Sequence, residues 1–318
     1  MISNELTLKF LLHNPALSVS TVEKEAGLPR GTLTKAVNHE RTLNEKHLAA
    51  LLPILTKYGY SPSLYENARI ISVINHKGGV GKTTTTAYLG DALARKGFKV
   101  LIIDIDSQGN LSQILGFDLP EKQLVDSLLN NEPLAIVPIS ENLDLIPSDI
   151  DLAKAEIELI ISIGGVLRLK NKLVEVMPKY DYVLIDCPPS LNALTSSALI
   201  ASKSCLITLQ PEMSSVKGLN TLLDRVQEIQ TTMNAHLQID GIVFTMVKRN
   251  SVHEGVKEHV REAMANFRVF DTEIKHLVDF QKAQVEQKMI SNFAENSEAA
   301  KLYTDFCEEF INYLQIVK

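Results

Sequence analysis

A doubly wound, mostly parallel α/β sheet behind a small all-α module is the fold this sequence predicts, on three observations. From Ile70 onward, short apolar runs alternate with longer amphipathic stretches, the pattern of strands buried on both faces and joined by crossover helices. Before that point, residues 1–60 carry helical periodicity and no convincing strand. Between them, Gly59-Tyr60-Ser61-Pro62-Ser63 breaks the pattern and reads as a linker. The division is therefore a module at 1–60, a linker at 61–68 and a sheet domain at 69–318, in a chain long enough for two cores.

Composition narrows the class. With 45% hydrophobic and 22% charged residues, the chain is ordinary for a globular protein. A net charge of -6 excludes a wholesale nucleic-acid coat, so any DNA contact must come from local basic clusters. Cys187, Cys205 and Cys307 are far apart and follow no metal-ligand spacing. No apolar run approaches the roughly 20 residues needed to span a bilayer, and the start shows no basic leader. A cytoplasmic location with no membrane partner is expected.

Within the module, residues 20–38 read as helix-turn-helix. Val22 and Ala26 share one helical face, Gly27 permits a tight turn, and Leu28, Leu33 and Ala36 would pack inward. Pro29 suits the start of the second helix. Arg30, Thr34 and Asn38 then fall at i, i+4 and i+8 on the outer face, with Lys35 beside them. Arginine and asparagine there could contact guanine and adenine in a major groove. Glu23 occupies a position where such motifs prefer a small residue, and 48–60 supplies a further apolar helix. The region resembles small Cro/repressor-type domains, which implies sequence-specific DNA binding. Dimerisation or protein docking is the other use for such a module, and a purely structural cap the third.

In the second domain, strands are expected at 70–75, 100–104, 143–146, 182–186, 204–209 and 241–246, with crossover helices such as 83–96 and 219–235. The segment Asn75-His76-Lys77-Gly78-Gly79-Val80-Gly81-Lys82-Thr83-Thr84 follows the first strand and opens a helix. Its glycines let successive N–H groups, from Gly78 to Thr84, curl toward phosphate oxygens, and the helix N-terminus adds favourable dipole charge. Lys82 should reach the β- and γ-phosphates, and the Thr83 hydroxyl should coordinate magnesium. ATP and Mg2+ are thus the expected ligands, on a sheet of the P-loop NTPase type.

Lys77-Gly78-Gly79-Val80-Gly81-Lys82-Thr83 resembles the deviant Walker A loop of the ParA/MinD family of ATPases. The resemblance covers about residues 69–318. It implies that Lys77 reaches across an ATP-dependent homodimer to the partner subunit's phosphates, where a second cation offsets developing charge. Asp104-Ile105-Asp106-Ser107-Gln108-Gly109-Asn110 is similar to the family's D-x-D-P-Q-G-N segment, with Ser107 in place of proline. By that likeness Asp106 orients the attacking water and Asp104 lies nearer the magnesium shell. Residues 182–190 resemble the Walker B strand, with Asp186 at its carboxyl end as the acceptor for magnesium-bound water. Leu209-Gln210-Pro211-Glu212 and Thr245-Met246 resemble the segments framing adenine and ribose, through Pro211 and Met246.

Relatives bind DNA non-specifically through arginines after the Thr-Met strand and further on. Arg249, beside Lys248, matches the first set; residues 274–280 lack the second, leaving Lys275 and Lys282 as substitutes. The final helix, 297–316, carries Leu302, Phe306, Phe310 and Leu314 against an acidic face of Asp305, Glu308 and Glu309, so it should pack into the core and not onto lipid. The resemblance implies an ATP-hydrolysing partition protein that binds DNA as an ATP dimer, sits on the nucleoid in that state, and is released by a centromere-binding ParB-type partner. An ATP-liganded helix-turn-helix regulator and a MinD-like positioning ATPase are the alternatives.

Overall fold

A computed structural model describes residues 4–12, 14, 17–38, 40–60 and 68–316. The expected linker lies outside the described residues except for Ala68. The chain divides into two compact units, residues 1–68 and 69–318.

Among the described residues the first unit contains four helices: α1 (Asn4–Leu12), α2 (Val19–Glu25), α3 (Thr32–Val37) and α4 (Glu45–Lys57). Val22, Leu33 and Ala36 are buried together with Phe10, Leu51 and Leu55, while Ala26 and Leu28 pack at the edge of this core. Gly27 takes φ +64°, as the tight turn requires. The second helix begins later than Pro29, because the chain makes one more turn, with Gly31 at φ +84° and Thr32 N donating to Pro29 O. Glu23 explains how this turn holds. It is only 5% exposed. Its carboxylate accepts from Gly31 N and Leu33 N, each at 2.7 Å. Gly31 offers no side-chain cap, so a carboxylate from the preceding helix satisfies the orphan N–H groups of α3 and faces its positive dipole end. The residue that looked out of place in the sequence joins the two helices.

The second unit is a seven-stranded sheet in the order β3-β4-β2-β5-β1-β6-β7. The strands are β1 (Arg69–Ile74), β2 (Val100–Asp104), β3 (Val137–Ser140), β4 (Leu143–Ile146), β5 (Tyr182–Asp186), β6 (Ser204–Leu209) and β7 (Gln238–Phe244). All pairs are parallel except β3 with β4. β2 and β6 are buried at every residue and β5 at all but Tyr182, which is why they read as unbroken apolar runs and not as alternation. β3 was not expected from sequence; it is a four-residue edge strand containing Pro138. β7 starts three residues earlier than expected, with a register irregularity where Gly241 adopts φ +150°.

From β1 the chain builds outward on one side of the sheet through β2 and β4, returns to β5 beside β1, and then builds on the other side through β6 and β7. The carboxyl ends of β1, β2, β5, β6 and β7 thus converge where the winding reverses, the place where open α/β sheets bind ligands. Helix α5 (Lys82–Arg95) is buried along most of its length. The helix Glu298–Ile316 covers it, with Tyr303, Phe306, Cys307, Phe310 and Leu314 buried. Tyr88 of α5 meets Tyr303 edge-on at 5.4 Å and stacks on Phe280 at 5.6 Å. The last helix is therefore a core element, as expected, although Leu302 is only partly buried. Among the described residues no helix is long and apolar enough to cross a membrane.

Replacing Glu23 by alanine removes both acceptors from buried N–H groups and should destabilise the α2–α3 junction by about 2 kcal/mol. Hydrogen exchange of the intact chain should then show the peptide spanning α3 opening about thirtyfold more readily, with the sheet domain unchanged. Unaltered protection of α3 would remove Glu23 from this role.

Candidate functional site

The glycine-rich segment leaves β1 through Asn75, which is buried and clamps the exit. Its amide donates to Thr208 O on β6 at 2.6 Å, and its oxygen accepts from Lys77 N at 2.9 Å. His76 lies against the helix Met213–Thr232 at Gly218, where an added Cβ would stand 1.7 Å from the imidazole. On the far side, the Thr245 hydroxyl after β7 donates to Val80 O at 2.8 Å. The loop is held from three directions, with Gly79 and Gly81 in left-handed conformations that side chains disfavour. Gly78 and Gly79 are exposed, and α5 begins at Lys82, so its first N–H groups lack intrahelical acceptors.

Lys82 is 7% exposed, and its ammonium donates to Lys77 O at 3.1 Å. Burial draws its pKa below the usual lysine range, opposed by the charges of Asp186 and Asp106. Asp186 ends β5 directly opposite Asp104 at the end of β2. Neither Asp186 oxygen has a hydrogen bond of ordinary geometry. Burial and then the neighbouring Asp104 push its pKa well up, while the Thr83 hydroxyl and Lys82 pull it down. A sealed carboxylate so weakly partnered is costly. Set beside a lysine and a threonine hydroxyl at the head of a phosphate loop, it fits a hard, oxygen-seeking cation that takes its remaining ligands from phosphate and water. Asp186 and Thr83 are therefore the residues that would hold magnesium.

Asp104 is arranged differently. One of its oxygens accepts from Ser112 N at 2.8 Å and the Ser112 hydroxyl at 2.7 Å, and the other from Asp106 N at 3.2 Å. Burial still pushes its pKa up to about 7. It holds the loop that carries Asp106, and by the β2–β5 register it also stands opposite Asp186, where a place near a magnesium shell was expected of it. Asp106 is itself buried, its carboxylate accepting from Gln108 N at 3.0 Å and its carbonyl from Gly109 N at 2.9 Å. The turn thus closes with serine at 107.

Lys77 extends to the surface side of the loop. Its ammonium meets Glu212 at 2.6 Å and the Ser214 hydroxyl at 3.2 Å. The lysine holds the Glu212 carboxyl below its usual range, with His253 and Lys248 contributing.

Beside α5 opens a cavity of about 130 Å³ lined by Gly81, Thr84, Met246, His276, Phe280 and Gln284 among others. Met246 has φ +53°, a strained conformation for a side-chain-bearing residue, and it lines the cavity. Pro211 is buried and does not line it. The far wall comes from residues 274–284, which sequence reasoning read for basic charge and missed as a pocket. Gln284 ties that wall to the loop by donating to the Thr84 hydroxyl at 3.2 Å.

The expected DNA contacts are spread over several elements. Arg30, Thr34, Lys35 and Asn38 are all exposed on the first unit. Lys248 and Arg249 are exposed on the loop after β7, and Lys282 on the helix Val278–Val285. Lys275 differs: it lines the cavity and its ammonium pairs with Glu298, so it is not a free cation.

Residues 68–239 match the family described as AAA domain. The sporulation initiation inhibitor protein Soj of Bacillus subtilis is 40% identical over 251 residues, covering 76% of this chain and 97% of that protein. The chromosome partitioning protein ParA of Caulobacter vibrioides is 36% identical over 252 residues, covering 77% and 94%. Among solved structures, cobyrinic acid a,c-diamide synthase from Mycobacterium smegmatis, with bound ATP analog and magnesium, superposes with a TM-score of 0.69 at 30% identity, over 79% of this chain and 97% of that one. A phosphate loop with a second lysine, two strand-end carboxylates and these likenesses lead to one family: the chain belongs to the AAA-domain proteins, as a member of the ParA/MinD ATPases.

Proposed function

We propose that the chain binds and hydrolyses ATP with magnesium at the Lys77–Thr83 loop, dimerises on the nucleotide, and uses that cycle to move DNA in a partition system. The observation that carries the reading is the pairing of a buried Lys82–Asp186 centre with a second lysine held outside it. Lys82 and the loop N–H groups would cradle the phosphates, while the cavity beside α5 receives the base. Magnesium, held by Thr83 and Asp186, would supply charge neutralisation on the β- and γ-phosphates. Asp106 would align the attacking water. Lys77, paired with Glu212 at the rim of the loop, would reach the phosphates of a partner subunit. The sequence relatives named for chromosome partitioning support the choice of process.

DNA would be held in two modes. Lys248, Arg249 and Lys282 offer phosphate contacts on the sheet domain, associating the ATP dimer with the nucleoid. The first unit presents Arg30, Thr34, Lys35 and Asn38 around a helix whose start Glu23 fixes, which supports a sequence-reading role on an operator or centromere. A ParB-type partner would stimulate hydrolysis and release the dimer. The last helix buries its apolar seam against α5, which favours this reading over a lipid-anchored positioning ATPase.

Sedimentation with a non-hydrolysable ATP analogue tests the dimer. Lys77→Ala should keep nucleotide affinity within about twofold yet lose most of the ATP-dependent dimer, whereas Glu212→Gln, which spares the lysine, should keep it. A Lys77→Ala chain that dimerises like the parent contradicts the sandwich arrangement.

The two DNA modes separate by salt and sequence. Arg249→Ala should weaken binding evenly on all duplexes and flatten the salt slope by about 0.9. Arg30→Ala should cost about 1–3 kcal/mol at one position of an operator enriched from random duplexes, while sparing ATP-dependent binding to scrambled DNA. Equal weakening by Arg30→Ala on both duplexes would show that the first unit does not read sequence.

A further inference from the structure

The segment after β4, residues 147–151, is attached on two sides. Pro147 O accepts from Leu124 N at 2.9 Å and Asp149 N donates to Gln123 Oε1 at 2.9 Å, anchoring the segment to the start of the helix Leu124–Leu129. On the other side it meets the Asp106 turn. The Ser148 hydroxyl donates to Asp106 O at 2.9 Å, and Ser148 N donates to the Ser112 hydroxyl at 2.9 Å. That hydroxyl in turn donates to Asp104, and Asp104 accepts from Asp106 N. The four residues form a closed, buried ring of hydrogen bonds. Gly109 lies against the same segment, since a Cβ there would stand 2.9 Å from Ser148 O.

We propose that Ser148 is a positioning residue for ATP hydrolysis, its hydroxyl fixing the Asp106 peptide and through it the carboxylate that aligns the attacking water. The inference rests on the reading of Asp106 as that carboxylate. Asp106 O takes two donors, Gly109 N from its own turn and Ser148 Oγ from outside, which fixes the direction of the peptide plane. The first is local and moves with the turn. Only the second ties the turn to a segment anchored elsewhere. Serine at 107 leaves the turn without the fixed φ of a proline, so rigidity must come from neighbouring structure. A water-aligning group gains its effect from placement to within a fraction of an ångström, and loosening it lowers turnover without weakening nucleotide binding.

The test uses the full chain, with single-turnover hydrolysis of radiolabelled ATP and equilibrium binding of a fluorescent non-hydrolysable analogue. Ser148→Ala should lower the hydrolysis rate about tenfold with KM and analogue affinity unchanged within about twofold, a split that a purely structural role would not produce. Placed in an Asp106→Asn chain that is already slow, Ser148→Ala should add less than about a twofold further loss, because both act on the same water. Three results would overturn the proposal: wild-type turnover in Ser148→Ala, parallel loss of turnover and binding, or a full further loss on top of Asp106→Asn. Wild-type turnover in Asp106→Asn alone would instead bring down the reading of Asp106 on which the proposal rests.

Discussion

The Asp186 carboxylate sits at the end of a buried strand with neither oxygen in an ordinary hydrogen bond, opposite a second buried carboxylate and near a buried lysine. Two carboxylates and one ammonium in a low-dielectric site leave a deficit of positive charge. Much of the surrounding architecture serves to hold that deficit in place. The β2–β5 register sets Asp104 against Asp186, and the β1–β5 register aligns β1 with the same strand end. Asn75, Thr245 and His76 fix the loop that delivers Lys82. A divalent cation at this point would offset that deficit, which is the physical basis of the proposed magnesium role.

Around that centre, each lysine and carboxylate has a distinct state set by burial. Lys82 is inside and contacts its own loop; Lys77 is at the rim and contacts Glu212. The two lie five residues apart on one loop, yet one is buried and the other extends to the rim. Asp104 and Asp106 diverge in the same way over two residues. Asp104 turns inward and holds Ser112, while Asp106 is presented by a turn that Asp104 and Ser148 support from behind. This division links the fold to its proposed chemistry: one set of residues would bind, another would position, and a third would meet a second subunit.

How much of this was legible depended on whether the signal was local. The phosphate loop is readable because only glycines permit its φ values, and the buried strands because parallel sheets covered on both faces need continuous apolar runs. Asp186 ends such a strand, and Asp106 lies two residues past the end of another. What could not be read involves partners far apart in sequence. The Lys77–Glu212 pair spans 135 residues, and the Asn75–Thr208 clamp 133. The cavity wall at 274–284 gave a misleading local cue, since its lysines drew attention to charge while Phe280, His276 and Gln284 formed the pocket. Glu23 misled similarly: a glutamate at a tight helix crossing looks wrong until its two N–H partners, eight and ten residues on, are seen.

Calorimetric titration of ATP into the parent chain and into Asp186→Asn, each with magnesium and with EDTA, tests the central claim most directly. The parent should bind ATP at least about tenfold more tightly with magnesium, a difference of about 1.4 kcal/mol. Asp186→Asn, which removes the unsatisfied charge but keeps the shape, should bind with nearly equal affinity in both conditions. Full magnesium dependence retained in Asp186→Asn, or none in the parent, would contradict the account.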